Sequence, residues 1–294
     1  MKMMENDVLK VSVADHGAEL SSVYDKESDF ERIWCADPAV WDRHAPILFP
    51  FVGNVKGRAY RYKGQTYQME KQHGFVRDMD FECVTEEKDQ IVHRCTATAE
   101  TKKIYPFDFE LTITHRLDKE NPRKLHVIWD VKNNGTDDMY FIIGGHPGFN
   151  LPDGDRKTDY YLGVPGQDEY ALTTLNMETG YATPWNPVKL VMDHGYCKID
   201  EQTLYDTYIW DDYQVKEITL AKPDKTPYVT VECDGFPSMG AWGSPKAEYV
   251  CLEPWIGRVD DDDATGNLEE KRDVQVAAPG ETRHYTYSIE FHRG

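Results

Sequence analysis

Three short stretches of this chain join proton-transfer side chains to glycine, proline and aromatics. They are Gln72-His73-Gly74-Phe75-Val76-Arg77-Asp78, Gly144-Gly145-His146-Pro147-Gly148-Phe149-Asn150 and Cys251-Leu252-Glu253-Pro254-Trp255-Ile256-Gly257. Together they offer two imidazoles and one carboxylate. Reference pKa values of about 6.5 for histidine and about 4.3 for glutamate make the first a workable acid and the second a workable base at neutral pH. One base and one acid are the minimal set for opening a cyclic hemiacetal. The base takes the anomeric hydroxyl proton, the acid protonates the ring oxygen, and the C1–O5 bond breaks. Rotation about C1–C2 and reclosure with the roles reversed gives the other anomer, without metal or cofactor. Each residue also has a plain structural reading. His73 fits a surface turn beside Gly74, and His146 fits a buried histidine satisfied by backbone. Glu253, in an apolar and aromatic setting, must face solvent or have partners.

The elements that position these residues read as strands. Phe109, Leu111 and Ile113 alternate with polar neighbours, as do Leu125, Val127, Trp129 and Val131, and then Tyr285, Tyr287, Ile289 and Phe291. A period of two with one apolar face marks half-buried strands. Turn signals at Lys63-Gly64, Asn134-Gly135, Pro152-Asp153-Gly154 and Pro279-Gly280-Glu281 separate them. Helical patterns are short, with a turn or two at 268–272, and the Gly- and Pro-rich stretch 152–187 reads as long loops with short strands. No repeat, low-complexity linker or composition break divides the chain, so residues 1–294 are expected to form one domain. Many closely spaced strands at this length favour a large all-β, two-sheet antiparallel sandwich over a small barrel.

Composition narrows the function. A formal net charge of −19 repels nucleic acid and anionic membrane surfaces, so neither is expected as a partner. A phosphorylated ligand would need a local basic cluster. The 18 tyrosines and 7 tryptophans suit stacking on sugar rings, although β-sheet packing uses them equally well. Six cysteines without a C-x-x-C pair read as reduced, mostly buried thiols in a cytoplasmic protein. Residues 1–10 carry Glu5 and Asp7 with no apolar core, so no secretory signal is expected, and no apolar run is long enough to span a membrane.

The motifs, together with Ala45-Pro46-Ile47-Leu48-Phe49-Pro50-Phe51-Val52-Gly53, Gly17-Ala18-Glu19-Leu20 and Pro279-Gly280-Glu281, resemble the aldose 1-epimerase (galactose mutarotase-like) family, and within it a LacX-type bacterial branch. The resemblance runs over nearly the full length. It implies a β-supersandwich with the sugar in an open cleft on one sheet. By position it implies Glu253 as general base, His146 as the acid that protonates the ring oxygen, and His73 as a second histidine that polarises the sugar. Arg77 resembles a ligand-binding residue. The carboxylate that grips sugar hydroxyls is best matched by Asp206, with Asp211 and Asp212 close behind. Relatives commonly place an Arg shortly after the Phe-Pro-x-x-Gly block, where this chain has Asn54-Val55-Lys56-Gly57-Arg58. Asn54 and Lys56, with Trp255, therefore complete the expected substrate contacts. Arg43, Lys56, Arg58 and Arg77 could together hold the phosphate of a hexose 6-phosphate, or Arg43 and Arg58 could be solvated. The expected partner is an aldohexose, free or phosphorylated, with no cofactor and no metal, acting on a monomer or weak homodimer.

Other classes remain as competitors. Two histidines and a carboxylate can form a facial triad for Fe(II), but here they come from three separate blocks. The run Asp260-Asp261-Asp262-Asp263 lacks the spaced ligands of a calcium loop and reads as a solvated acidic loop. A sugar-binding protein without turnover would not need an acid–base pair. A glycoside hydrolase normally needs two carboxylates, and only Glu253 sits in a clear motif.

Overall fold

The computed structural model describes residues 1–293, apart from the side chain of Thr203. Its largest element is a nine-stranded antiparallel sheet. At its centre, Lys124–Asn133 pairs with Phe109–Leu117 on one side and with Thr282–Phe291 on the other. These are the strands whose apolar alternation the sequence displays. Phe109, Leu111, Ile113, His115 and Leu117 are buried, while Glu110, Thr112, Thr114 and Arg116 are half-buried or exposed. Branched and aromatic side chains on one face of a pleated strand give this arrangement directly.

A second antiparallel sheet carries the His146 and Glu253 motifs. Its strands run in the order Tyr208–Trp210, Ser238–Trp242, Tyr249–Ile256, Ile143–Gly145 and Ile47–Leu48, and Gly148–Asn150 also pairs with Tyr249–Ile256. Aromatic contacts join the two sheets. Phe49 lies 5.3 Å from Phe109, and Phe149 lies 6.2 Å from Phe291, between ring centroids. One hydrophobic cluster extends from Met4 to Phe291. A four-stranded N-terminal sheet, from Lys2–Glu5 to Phe30–Glu31, adds to it. The result is the large antiparallel sandwich expected from the patterning.

Tyr249–Ile256 differs from the alternating strands because all eight of its residues are buried. Val250, Leu252 and Ile256 join the main core, while Tyr249 and Cys251 pack with Trp34 and Trp41 in a second cluster. The Leu268–Glu270 segment forms a single 3-10 turn, and 152–187 contains the short strands Tyr161–Gly163, Glu169–Leu172, Leu175–Asn176 and Tyr181–Ala182. The 260–263 run is only in part the solvated loop the sequence suggests, with Asp263 exposed and the first two carboxylates tied down. Asp260 is buried against the Lys271 ammonium, and Asp261 accepts from Arg258 Nη1 at 2.5 Å. Burial forces those carboxylates to take cationic partners. Among the described residues no helix is long and apolar enough to cross a membrane, and all six cysteines are free thiols, with Cys35 exposed.

Candidate active site

Strand register brings two of the motifs face to face. Gly144 pairs with Trp255, and Gly148 pairs with Cys251. Counting inward from both pairs sets His146 opposite Glu253. Regular pairing breaks at this point, where Pro147 has no N–H to give, and the two side chains meet. His146 Nε2 lies 3.2 Å from Glu253 Oε2. Directly cross-strand residues of an antiparallel sheet have side-chain roots about 5 Å apart, so this contact is a product of register.

The third motif arrives by a loop. Gly74 has φ of +68°, and a Cβ there would lie 2.1 Å from the Phe49 carbonyl oxygen, so only glycine permits the chain to pass this close to Phe49. Phe75 N–H donates to that same carbonyl at 3.0 Å. The preceding His73, itself at φ +67°, is held twice by Gly53. Its N–H donates to Gly53 O at 2.8 Å, and its Nδ1 accepts the Gly53 N–H at 3.0 Å. An Nδ1 that accepts leaves the proton of a neutral ring on Nε2. The His73 and His146 rings stand edge to face, with centroids 5.6 Å apart.

These groups line a cleft of about 400 Å³, a size suited to a small ligand. Its walls also include Asn54, Arg77, Trp41, Trp242 and Trp255. Trp41 tilts over His146 with centroids 4.8 Å apart. The Trp255 ring lies across two backbone glycines, since a Cβ on Gly144 or Gly240 would come within 2.6 Å of it. Two glycines, one on each strand flanking Tyr249–Ile256, thus make a slot for the indole of Trp255 on the cleft wall.

Burial dominates the electrostatics. It pushes the Glu253 carboxyl well above the usual carboxylate range, with the neighbouring Trp255 indole pulling the other way more weakly. It pushes His146 down to about 3, its own backbone opposing and the Arg77 charge adding to the fall. His73 is held well below its ordinary value by burial in the cleft wall, then by His146 and Arg77. At the 3.2 Å contact burial therefore works against charge on both partners, favouring a neutral carboxyl beside a neutral imidazole over an ion pair. The two forms contain the same protons and differ only in which atom holds one of them.

Of the residues singled out from the sequence, the structure brings His73, His146, Glu253, Asn54, Arg77 and Trp255 to this cleft. Arg77 sits on the turn Val76–Asp78 and donates to the Gln72 carbonyl at 3.0 Å, while its Nε has no partner. Asp206 and Lys56 lie outside the lining. The Asp206 carboxylate accepts from Gln202 Nε2 at 2.9 Å, and it is the next residue, Thr207, that faces the cleft. Asp211 is buried and bound by Arg258, Thr173 and Ser238, and Asp212 pairs with Arg272. Lys56 turns its ammonium to the Ala264 carbonyl at 3.1 Å. The other cations of the suggested basic cluster are also engaged. Arg43 binds Asp78 and the Arg77 carbonyl, and Arg58 binds the Glu70 carbonyl. Sequence reasoning passed over Trp41 and Trp242. The available signal for Trp41 was a large aromatic in a polar loop, Asp42-Arg43-His44, just ahead of the Ala45-Pro46 block.

A metal set drawn from both histidines and Glu253 is not what the geometry gathers. His73 Nδ1 is committed to Gly53, and the third donor beside His146 and Glu253 is Cys251, with donor atoms of the three within 4.8 Å of one another.

Comparison with known proteins agrees with the architecture. Residues 2–255 match the family model for aldose 1-epimerase. The chain is 28% identical to the chromosomal LacX protein of Lactococcus lactis subsp. lactis, over 97% of each chain. It superposes on a galactose mutarotase related enzyme from Lactobacillus acidophilus with a TM-score of 0.91 and 34% identity, covering 99% of this chain and 97% of that one. A galactose mutarotase-like protein from Lactobacillus casei gives a TM-score of 0.88 at 28% identity, covering 99% and 100%. With the sandwich, the cleft and a family match over most of its length, this chain belongs to the aldose 1-epimerase family.

Proposed function

We propose that this protein is an aldose 1-epimerase, interconverting the α and β anomers of a free aldohexose by acid–base ring opening. The observation that carries the reading is the His146–Glu253 contact of 3.2 Å on the wall of the cleft. In its charge-separated form the pair has a carboxylate to take the anomeric proton and an imidazolium to give one to the ring oxygen. After ring opening, Glu253 holds the proton from O1 and His146 is neutral, which is the form that burial favours. The pair thus gains and loses no net proton, and its two tautomers correspond to the closed and open sugar. Reclosure on the other face of C1 runs the transfers backward. His73, with its proton on Nε2, acts as a neutral donor to a sugar oxygen. Trp41, Trp242 and Trp255 offer ring faces to the apolar side of a pyranose, and Arg77 and Asn54 contact hydroxyls.

A free sugar is favoured over a hexose 6-phosphate by the state of the cations. Lys56, Arg43 and Arg58 are already occupied by carbonyls or carboxylate, and Arg77 is the one cation lining the cleft among the described residues. A phosphate dianion ordinarily calls for more charge-assisted donors than one arginine supplies.

The test is polarimetry on chelator-treated protein with freshly dissolved α-D-galactose, α-D-glucose and α-D-glucose 6-phosphate. Accelerated decay of rotation with a free sugar is the expected result. A rate equal to the spontaneous one with all three would leave a sugar-binding protein in its place.

A further inference from the structure

The mechanism uses His146 and Glu253 but gives no task to Cys251, which lies on the same strand two residues before Glu253. Residues two apart on a strand share a face, and the donor atoms of His146, Cys251 and Glu253 all lie within 4.8 Å of one another. All three residues are buried, Cys251 completely. We propose that these three side chains form a binding site for a thiophilic divalent cation of the Zn²⁺ or Cd²⁺ class, which occupies the proton-transfer pair and excludes the sugar.

Donor chemistry selects the cation. One sulfur, one imidazole nitrogen and one carboxylate oxygen form a set that borderline and soft metals prefer, whereas Mg²⁺ and Ca²⁺ seek oxygen. Size agrees. With metal–sulfur bonds of about 2.3 Å and metal–nitrogen bonds of about 2.0 Å, tetrahedral donors stand roughly 3.3–3.8 Å apart. The His146–Glu253 separation of 3.2 Å already matches, and the 4.8 Å outer limit requires a contraction that side-chain rotation can supply.

Charge agrees as well. A thiolate, a carboxylate and a neutral imidazole around a dication leave no net charge to bury, the condition under which a buried ionic site is tolerable. Binding exchanges the Sγ–H bond, and the carboxyl proton where Glu253 holds it, for bonds to the metal. The protons pass to bulk water. His146 and Glu253 both line the cleft, so a cation entering it meets them first, and the fourth coordination position remains toward the cleft. Three protein ligands with one open position is the arrangement of accessible zinc sites.

The experiment uses the whole chain, stripped with a chelator, in a Cys35→Ser/Cys83→Ser background that removes the two thiols not fully buried. Cd²⁺ is titrated in and read by its thiolate charge-transfer absorption, without sugar, so the result does not depend on the epimerase reading. One equivalent is expected to bind. Cys251→Ala should abolish the band, His146→Asn should weaken binding by at least about 100-fold, and excess Mg²⁺ should not displace the metal. If Cys251→Ala does not fold, Cys251→Ser keeps the side-chain size and is read in the same way. An undiminished band in the folded Cys251 variant, or no binding up to millimolar Cd²⁺, overturns the proposal.

Discussion

Replacing Glu253 with glutamine separates two accounts of the resting site. Glu253 and His146 stand 3.2 Å apart with almost no solvent contact. Were they a carboxylate and an imidazolium, the amide would strand a buried positive charge, at a cost of roughly 3–5 kcal/mol. Burial instead pushes the carboxyl up and the imidazole down, so the pair rests neutral. Glutamine then replaces a neutral carboxyl with a neutral amide of nearly the same shape, and the 3.2 Å contact with Nε2 is kept. The change in folding free energy should stay within about 1 kcal/mol, the net scale of one neutral hydrogen bond. Catalysis should behave in the opposite way, because an amide cannot take a proton, and turnover is expected to fall by at least ~10²-fold. His146→Asn should cost a similar factor, and the double variant little more than either single one, since the residues act as a unit. Urea unfolding at pH 7 measures the first quantity and polarimetry the second. A loss near 4 kcal/mol in Glu253→Gln would refute the neutral pair, and a near-normal rate would remove Glu253 from the chemistry.

Other sites give independent checks. His115 is buried and pushed down to about 3, chiefly by burial and then by His93, so the unfolded chain takes up a proton below pH 6.5 that the folded chain refuses. Its contribution is intact above that value and shrinks as the pH falls toward 3. Between pH 8 and pH 5 it should remove roughly 2 kcal/mol, and His115→Leu should flatten the stability–pH curve by that amount. An unchanged slope would be evidence against a buried neutral imidazole. Gly240→Ala would press a methyl onto the Trp255 ring at 2.6 Å, so a loss of about 1–3 kcal/mol is expected in urea unfolding, and an unaltered midpoint would contradict that close approach. Arg77→Ala should raise KM for the free sugar about tenfold, the lower range for a charge-assisted hydrogen bond. Lys56→Ala should alter rates on glucose and glucose 6-phosphate equally, and a selective loss with the phosphate would return Lys56 to the ligand.

The fold was legible because its largest sheet has one wet or half-covered face. Phe109–Leu117 and Lys124–Asn133 announce themselves by alternation. Tyr249–Ile256 cannot, because all its positions are buried and a continuous apolar run does not report which residues share a face. What marked it was a carboxylate among aromatics, a chemical anomaly and not a period. The cleft was readable where side chains sit inside motifs. It was unreadable at Trp41 and Trp242, whose roles depend on how loop and strand return to His146. Asp206 and Lys56 illustrate a different limit. Sequence fixes their neighbours along the chain, yet one carboxylate turns to Gln202 and one ammonium to Ala264. A polar side chain takes whichever partner the folded chain brings within reach, and neighbours in the sequence do not say which that will be.

The placement of the three motifs suits the precision that the proposed proton transfer would demand. Glu253, proposed as the base, stands on the strand Tyr249–Ile256, and His146, proposed as the acid, lies opposite it in the short break between two paired segments, where a one-residue slip would turn each to the other face. His73, proposed only as a donor, comes from a loop, where position is harder to hold. The loop compensates with the two hydrogen bonds to Gly53 and the packed glycine turn at Gly74. Freeing His73 from that clip should therefore blur its position while leaving the His146–Glu253 contact intact. Gly74→Ala, which drives a methyl into the Phe49 carbonyl, tests the turn itself and should cost more than about 3 kcal/mol, the joint effect of positive φ and overpacking. A stable Gly74→Ala protein would mean that the His73 loop is looser than its contacts require.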